Sequence, residues 1–195
     1  MKEILALSEK NQKRAWEIIQ ETNVIGIWES IGATVNLIGS LKLGLMGKYC
    51  DIDLHIYTSP FNLSDSFKAI AQLAEHPSIK RIEYYNFLEE EDACISWHAW
   101  LEDIDGAIWH IDMIHIVRDS RYDGYFEKVA ERIAAVLTDE MRNTILQLKF
   151  DTPDSEKIMG IEYYRAVIEG NVRTFEGFEN WRRTNPVEGI LEWMP

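Results

Sequence analysis

Residues 34–58 read TVNLIGSLKLGLMGKYCDIDLHIYT and contain two strand patterns separated by a glycine-rich connection. The run 34–39 is rich in β-branched residues and ends in glycine, which is typical of a strand. Gly44 and Gly47 interrupt the residues that follow and predict a loop, or a loop with one helical turn. The run 51–58, DIDLHIYT, predicts the next strand.

The second strand begins with two acidic residues, Asp51 and Asp53. Because side chains alternate along a strand, both carboxylates should point to one face, roughly 7 Å apart. Two like charges on one face repel each other unless a positive charge lies between them. Hard divalent cations bind carboxylate oxygens, so the pair predicts a metal site.

A third acid is expected from a neighbouring strand, and Asp112 is the candidate. It interrupts the otherwise apolar run AIWHIDMIHIV, residues 107–117. A lone carboxylate in such a strand is costly unless it is paired or bound to metal. The alternative is a salt bridge to a helix. Asp51, Asp53 and Asp112 together would hold one or two Mg²⁺ or Mn²⁺ ions and carry the catalysis.

The turn before the acids predicts a phosphate site. Gly39 allows close approach of backbone to a phosphate, and the Ser40 hydroxyl can bind phosphate oxygens; a helix N-cap is the alternative role for Ser40. Lys42 follows two residues later, where its ammonium either meets the same phosphates or is solvated.

The histidines near the acids have open roles. His55 should share a face with Asp53, and His110 a face with Asp112, whereas His115 should face the other way. His55 and His110 are either ordinary polar neighbours or partners that orient the carboxylates. Arg165, on a predicted helix with apolar neighbours, either has a structural packing role or reaches a phosphate.

The remaining periodicities complete an α+β fold. The predicted helices span 8–22, 24–32, 64–75, 123–137, 138–149, 155–169 and 174–183, and the predicted strands span 34–39, 51–58, 79–88, 93–101 and 107–117. This order predicts a mixed β-sheet of about five strands with flanking helices, followed by a C-terminal helical region. We expect a catalytic domain over 1–120 and the helical region over 121–195.

The run GSLKLGLMGKYCDIDLHI resembles the signature of the nucleotidyltransferase superfamily, the fold of DNA polymerase beta and the aminoglycoside nucleotidyltransferases. That signature is a Gly-Ser turn, a spacer of about ten residues and Asp-x-Asp on a strand, with a further Asp on a later strand. The resemblance covers about residues 34–117. It implies that Gly39 and Ser40 contact the triphosphate, that Asp51 and Asp53 bind metal, and that Asp112 is a ligand or general base.

The composition constrains the partners. The net charge is −13 and the isoelectric point about 4.8, which predicts no polynucleotide partner, because phosphate backbones favour basic surfaces. No signal peptide or membrane span is visible, so a cytoplasmic protein is expected. Cys50 and Cys94 lack metal-ligand spacing and should be ordinary buried residues. The oligomeric state stays open.

These features predict a metal-dependent nucleotidyltransferase, which transfers a nucleotidyl group from a nucleoside triphosphate such as ATP to a small-molecule acceptor and releases pyrophosphate. Two alternatives remain. The first is a non-catalytic nucleotide-binding or partner-binding module on the same fold. The second is a metal-dependent phosphohydrolase, which would release inorganic phosphate.

Overall fold

The computed structural model describes residues 1–187 and 189–195 of the chain. Its helices are α1 (Lys2–Thr22), α2 (Val24–Ser30), α3 (Gly39–Leu43), α4 (Leu63–Ala74), α5 (Tyr125–Val136), α6 (Asp139–Asp151), α7 (Gly160–Ile168) and α8 (Phe175–Thr184). Its strands are β1 (Thr34–Ile38), β2 (Asp51–Tyr57), β3 (Ile79–Asn86), β4 (Cys94–Glu102) and β5 (Ile108–Ile116).

The five strands form one mixed sheet in the order β1-β2-β5-β4-β3. Only β2 and β5 run parallel, and the other three pairs are antiparallel. Consecutive antiparallel strands need only short turns, whereas the parallel pair requires the long connection through α4, β3 and β4. The predicted α+β class with a mixed five-stranded sheet is therefore confirmed.

One sheet face is apolar and packs against the first two helices and α4. Its core contains Ile52, Leu54, Ile111 and Met113 from the central strands, together with Trp28 of α2, all fully buried. Because side chains alternate, burying these residues turns the odd-numbered positions of β2 and the even-numbered positions of β5 to the opposite face. That face carries the acidic residues.

A second apolar cluster joins the C-terminal helices to the start of the chain. Phe178 of α8 and Tyr163 of α7 stack there with ring centroids 4.6 Å apart. Ile4 of α1 and Leu45, which follows α3, pack into the same cluster. The division of the chain near residue 120 stays a prediction, because residues from both sides of it share this core.

The first helix begins earlier than its sequence pattern suggests. It starts at Lys2 and not at residue 8, and Ser8 is a buried residue inside α1. The capping residue at the true start is Met1, which offers no side-chain hydrogen bond. Among the helices of the described residues, none combines the length and apolarity that a bilayer crossing requires.

Candidate active site

Polar side chains form two rows across the sheet face opposite the main core. The pairing of β2, β5, β4 and β3 aligns them in register. The first row consists of Asp53, Asp112, His98 and Glu83, and the second of Asp51, His110, Trp100 and Arg81. The sheet thus brings the three predicted acids together at its parallel pair of strands.

The two central carboxylates face each other across neighbouring strands. Asp53 is the direct partner of Asp112 in the β2–β5 register. Burial, and then the negative charges of Asp112 and Asp51, raise the pKa of Asp53 to about 7. Burial also raises the pKa of Asp112, although the neighbouring histidines oppose that rise. Both shifts show that the site tolerates three negative charges poorly.

The donor set suits a divalent cation. Oδ1 of Asp112 is buried and has no hydrogen-bond partner among residues 1–187 and 189–195. Asp51 is half exposed, so its carboxylate is free to turn toward the other two. Within the same residues, no three His, Cys, Asp or Glu side chains already have the spacing of a metal site. Binding would therefore require the carboxylates to rotate toward a shared ion, which would remove the repulsion between them.

Two histidines stand directly beside the acids. His98 Nδ1 lies 3.3 Å from Asp112 Oδ1, and His110 Nδ1 lies 3.4 Å from Asp51 Oδ1. The two imidazole rings stack with centroids 5.2 Å apart. Burial lowers the pKa of His110, but the contact with Asp51 and the surrounding carboxylate charges outweigh it, so its pKa is raised. His98 is a site residue that the sequence does not predict, because its position beside Asp112 depends on the register between β4 and β5.

An aromatic stack continues the second row toward the edge strand. The Trp100 ring lies 4.7 Å from the His110 ring at an angle of 18°. The Arg81 guanidinium lies 3.6 Å from the centroid of Trp100 on β4. Trp97 is buried in the core, as expected for a residue on the other face of that strand. The stack holds His110 against the Asp51 side of the site.

The Gly-Ser turn meets the acids at close range. Gly39 has φ +67°, a conformation that side chains with a Cβ rarely adopt. A Cβ at this position would lie 2.0 Å from Asp53 Oδ2. The position therefore requires glycine for both its backbone conformation and its contact with the carboxylate. Ser40 follows at the start of α3, with its hydroxyl 3.0 Å from the Tyr164 hydroxyl.

A buried lysine, and not the predicted one, contacts this turn. Lys149 of α6 is 6% exposed. Its ammonium donates to Ser40 Oγ at 2.7 Å, to the Leu45 carbonyl at 2.9 Å and to the Tyr164 hydroxyl at 3.3 Å. No carboxylate of the described residues forms an ion pair with it. Lys42, by contrast, has an exposed side chain, and its phosphate contact stays a prediction.

The remaining histidines of the central strands lie on opposite faces of the sheet, and Arg165 lies on the surface of α7. His55 is on the acidic face, with Nδ1 3.3 Å from Glu127 Oε1. His115 is fully buried on the opposite face, with Nε2 2.9 Å from the Thr58 hydroxyl. Arg165 pairs with Glu169 at 2.7 Å on the surface of α7.

Known structures share this architecture at low sequence identity. The poly(A) polymerase complex GLD-2–GLD-3 superposes with a TM-score of 0.55 at 10% identity, over 86% of this chain and 56% of that chain. A cytoplasmic RNA terminal U-transferase gives 0.54 at 13% identity, over 86% and 53%. The GLD-2/RNP-8 complex gives 0.55 at 11% identity, over 95% and 70%. No family model matches the sequence, and no curated protein does.

These similarities define the class of fold. The chain has the nucleotidyltransferase fold, as the Gly-Ser turn and the Asp-x-Asp strand predict. It spans only about half the length of the first two structures, at 56% and 53%. At this level of identity the likeness concerns the fold, and the roles of individual residues rest on the geometry above.

The expectation that no polynucleotide partner is involved is wrong. One neighbour is named as a poly(A) polymerase and another as an RNA terminal transferase, and two are complexes with a protein partner. The error has a physical cause. A net charge of −13 sums over the whole surface, whereas affinity for a phosphate backbone depends on the local charge where the strand binds.

Proposed function

We propose that this chain is a metal-dependent nucleotidyltransferase, which joins the α-phosphate of a nucleoside triphosphate to an acceptor hydroxyl. The observation that supports this most strongly is the register of β2 with β5. It sets Asp53 directly opposite Asp112, and Asp51 lies two residues before Asp53 on the same face of β2. Gly39 of the Gly39–Ser40 turn lies against the carboxylate of Asp53. A phosphate site and an acidic cation site are thus adjacent, as phosphoryl transfer requires.

In the proposed reaction, the acceptor oxygen forms a bond to the α-phosphorus while the bond between that phosphorus and the pyrophosphate oxygen breaks. Pyrophosphate leaves, and Asp112 accepts the proton of the attacking hydroxyl. Asp51, Asp53 and Asp112 would hold Mg²⁺ or Mn²⁺, which supplies charge neutralisation for the phosphates when bound. The chain's own contribution is mainly to position the reacting groups.

The terminal phosphates would bind at the Gly39–Ser40 turn. The Ser40 hydroxyl already accepts a hydrogen bond from the Lys149 ammonium. The Lys149 ammonium forms no direct ion pair, but its charge opposes the rise in the pKa of Asp53, and a positive charge buried at this turn also favours an anion there. A phosphate oxygen beside Ser40 would provide that anion, so we assign Lys149 together with Ser40 to the triphosphate. Lys42 stays a second candidate on the exposed side of α3.

Two acceptor classes are compatible with this site. Because the structural neighbours include RNA terminal transferases, the 3′ hydroxyl of RNA is the first acceptor to test. A small hydroxyl compound is the second, as the resemblance to small-molecule nucleotidyltransferases implies. Both use the same attack on the α-phosphorus, so the carboxylates have the same roles in either case.

The direct test incubates the protein with each of the four α-³²P-labelled ribonucleoside triphosphates, Mg²⁺ and a panel of acceptors. The panel contains short RNAs with free or blocked 3′ hydroxyls and small hydroxyl compounds. We expect label in an acceptor and one pyrophosphate per transfer. Asp53→Asn and Asp112→Asn should abolish transfer while the circular dichroism spectrum stays unchanged. Full transfer by both variants would rule out the mechanism.

The same assay separates the alternatives. Release of inorganic phosphate without labelled acceptor would identify a phosphohydrolase. Mg²⁺-dependent triphosphate binding without turnover on any acceptor would identify a non-catalytic nucleotide-binding module. Labelling of RNA only when its 3′ hydroxyl is free would assign that hydroxyl as the nucleophile.

A further inference from the structure

A cavity of about 180 Å³ lies on the acidic face, beyond the carboxylates. Its floor is the next row of the sheet, where Ile114 is flanked in register by His55 and Ser96. This row follows Asp53 and Asp112 by two residues along each strand, which is roughly 7 Å. We call this space the ring cavity. It adjoins the candidate active site.

The walls of the ring cavity are largely apolar. Phe87, Ile116 and Phe126 contribute side chains from three different parts of the chain. The C-terminal segment adds Ile190. Glu192 anchors this segment to the body of the protein, because it accepts a hydrogen bond of 2.9 Å from the Tyr122 hydroxyl. The ring cavity is therefore bordered by the sheet, by α5 and by the C-terminal segment.

The buried polar side chains in the lining of this space include Ser96 and His55. His55 is 4% exposed. Its Nδ1 has no hydrogen-bond partner within the part of the chain that the structure describes, although Glu127 Oε1 lies 3.3 Å away. The Glu127 carboxylate thus takes up the Nδ1 side of the ring, and the imidazole still gives the cavity wall a polar group beside its apolar side chains.

The position of the ring cavity relative to the phosphate site indicates which substrate would use it. Gly39 and Ser40 follow the edge strand β1, whereas the ring cavity starts at His55 on β2 and extends over β5 and β4, away from β1. An in-line displacement places the leaving group and the attacking group on opposite sides of the phosphorus. If the phosphorus is held between the Gly39–Ser40 turn and Asp112, its attacking side would face the ring cavity.

We propose that the ring cavity binds a single heteroaromatic ring of the acceptor and so holds its hydroxyl at Asp112. This inference rests on the proposed function. A cavity of about 150 Å³ is known to hold one benzene ring, so a volume of about 180 Å³ suits a single ring better than a fused pair. The acceptor class is thus a compound whose reacting hydroxyl lies about 7 Å from a single polar ring.

Binding of simple probes tests the assignment without turnover. Uridine carries one heteroaromatic ring, adenosine carries two fused rings and glycerol carries none. We expect saturation-transfer NMR to show uridine bound to the wild-type protein, with weaker adenosine binding and none for glycerol. Ile114→Trp fills the ring cavity, so the ring of uridine would lose its contacts there. We expect uridine binding to weaken about tenfold or more, which corresponds to at least about 1.4 kcal/mol.

Two further variants control for folding. Val136→Trp makes the same kind of enlargement at an exposed position near the other end of α5 and should leave uridine binding unchanged. Ile190→Asp changes a wall residue that is 39% exposed, so it should fold normally and still weaken uridine. Equal uridine binding by wild type, Ile114→Trp and Ile190→Asp would overturn the proposal.

Competition distinguishes the acceptor from the donor and separates this inference from the proposed function. ATP should leave uridine bound; displacement of uridine by ATP would assign the ring cavity to the donor base and overturn the proposal. Uridine binding that is lost in Ile114→Trp, together with no nucleotidyl transfer to any acceptor, would uphold the ring cavity and refute the proposed reaction.

Discussion

Replacing Lys149 with methionine should weaken triphosphate binding without destabilising the protein. Lys149 is 6% exposed, and the nearest contacts of its ammonium are the Ser40 hydroxyl and the Leu45 carbonyl. This substitution distinguishes a lysine that stabilises the fold from a lysine that binds the ligand. A structural role predicts loss of stability, whereas a role in phosphate binding predicts loss of affinity alone.

The expected magnitudes follow from these contacts. A hydrogen bond to a charged group contributes about 1.5–3 kcal/mol, so losing one to a phosphate oxygen should raise Kd about 10- to 150-fold. Stability changes in both directions. Methionine removes the cost of burying an ammonium, but it leaves the Leu45 carbonyl without its donor. The two effects should nearly cancel, within about 1 kcal/mol, or about 2–4 °C in Tm.

Calorimetric titration with a non-hydrolysable ATP analogue and Mg²⁺ measures the affinity, and thermal melting measures the stability. Lys157→Met, at an exposed lysine, is the matched control. Lys42→Met tests the lysine that the sequence singled out. A Kd for Lys149→Met within twofold of wild type would refute the phosphate contact. A Tm that falls by more than about 10 °C would make Lys149 a structural residue.

Two further predictions concern the backbone turn and the buried histidine. Gly39→Ala should lower transfer about a hundredfold and cost roughly 1–2 kcal/mol, because its Cβ would meet Asp53 Oδ2 at 2.0 Å; transfer at the wild-type rate would contradict this. Burial lowers the pKa of His115 from 6.5 to about 4, so the unfolded chain binds the extra proton between those values and stability falls as pH drops through that window. The loss should reach at most about 3 kcal/mol. Urea midpoints of His115→Gln should fall less than those of wild type over that range, and identical curves would refute the assignment.

The strands and most helices could be predicted from the sequence because each carries a strong local pattern. The alternation of Ile52 and Leu54 with the acids indicates which face of β2 is buried. The pair Asp105-Gly106, between the end of β4 and the start of β5, is typical of a hairpin turn. The start of α1 was harder to predict from the sequence. Nothing before Ser8 has a capping side chain, and apolar contacts of Ile4 with the C-terminal helices extend the helix to Lys2.

The pairing of the acids with their neighbours could be predicted only in part. Alternation put Asp51 and Asp53 on one face, but the partner of Asp112 depends on the register between strands 59 positions apart. Lys149 left a weak signal, since it lies four residues after Ile145 and three after Leu146 on the buried stripe of α6. A lysine on such a stripe is easily taken for an interruption of it, because only the tertiary fold brings Ser40 to its ammonium.

The central claim is that three carboxylates converge on one cation site, and Mn²⁺ binding tests it most directly. Electron paramagnetic resonance counts free and bound Mn²⁺ in the presence of a non-hydrolysable triphosphate. We expect one or two ions bound per wild-type chain, and strongly weakened binding in both Asp53→Asn and Asp112→Asn, with Asp105→Asn, at an exposed turn, unchanged. Equal Mn²⁺ stoichiometry and affinity in wild type and both site variants would contradict the claim.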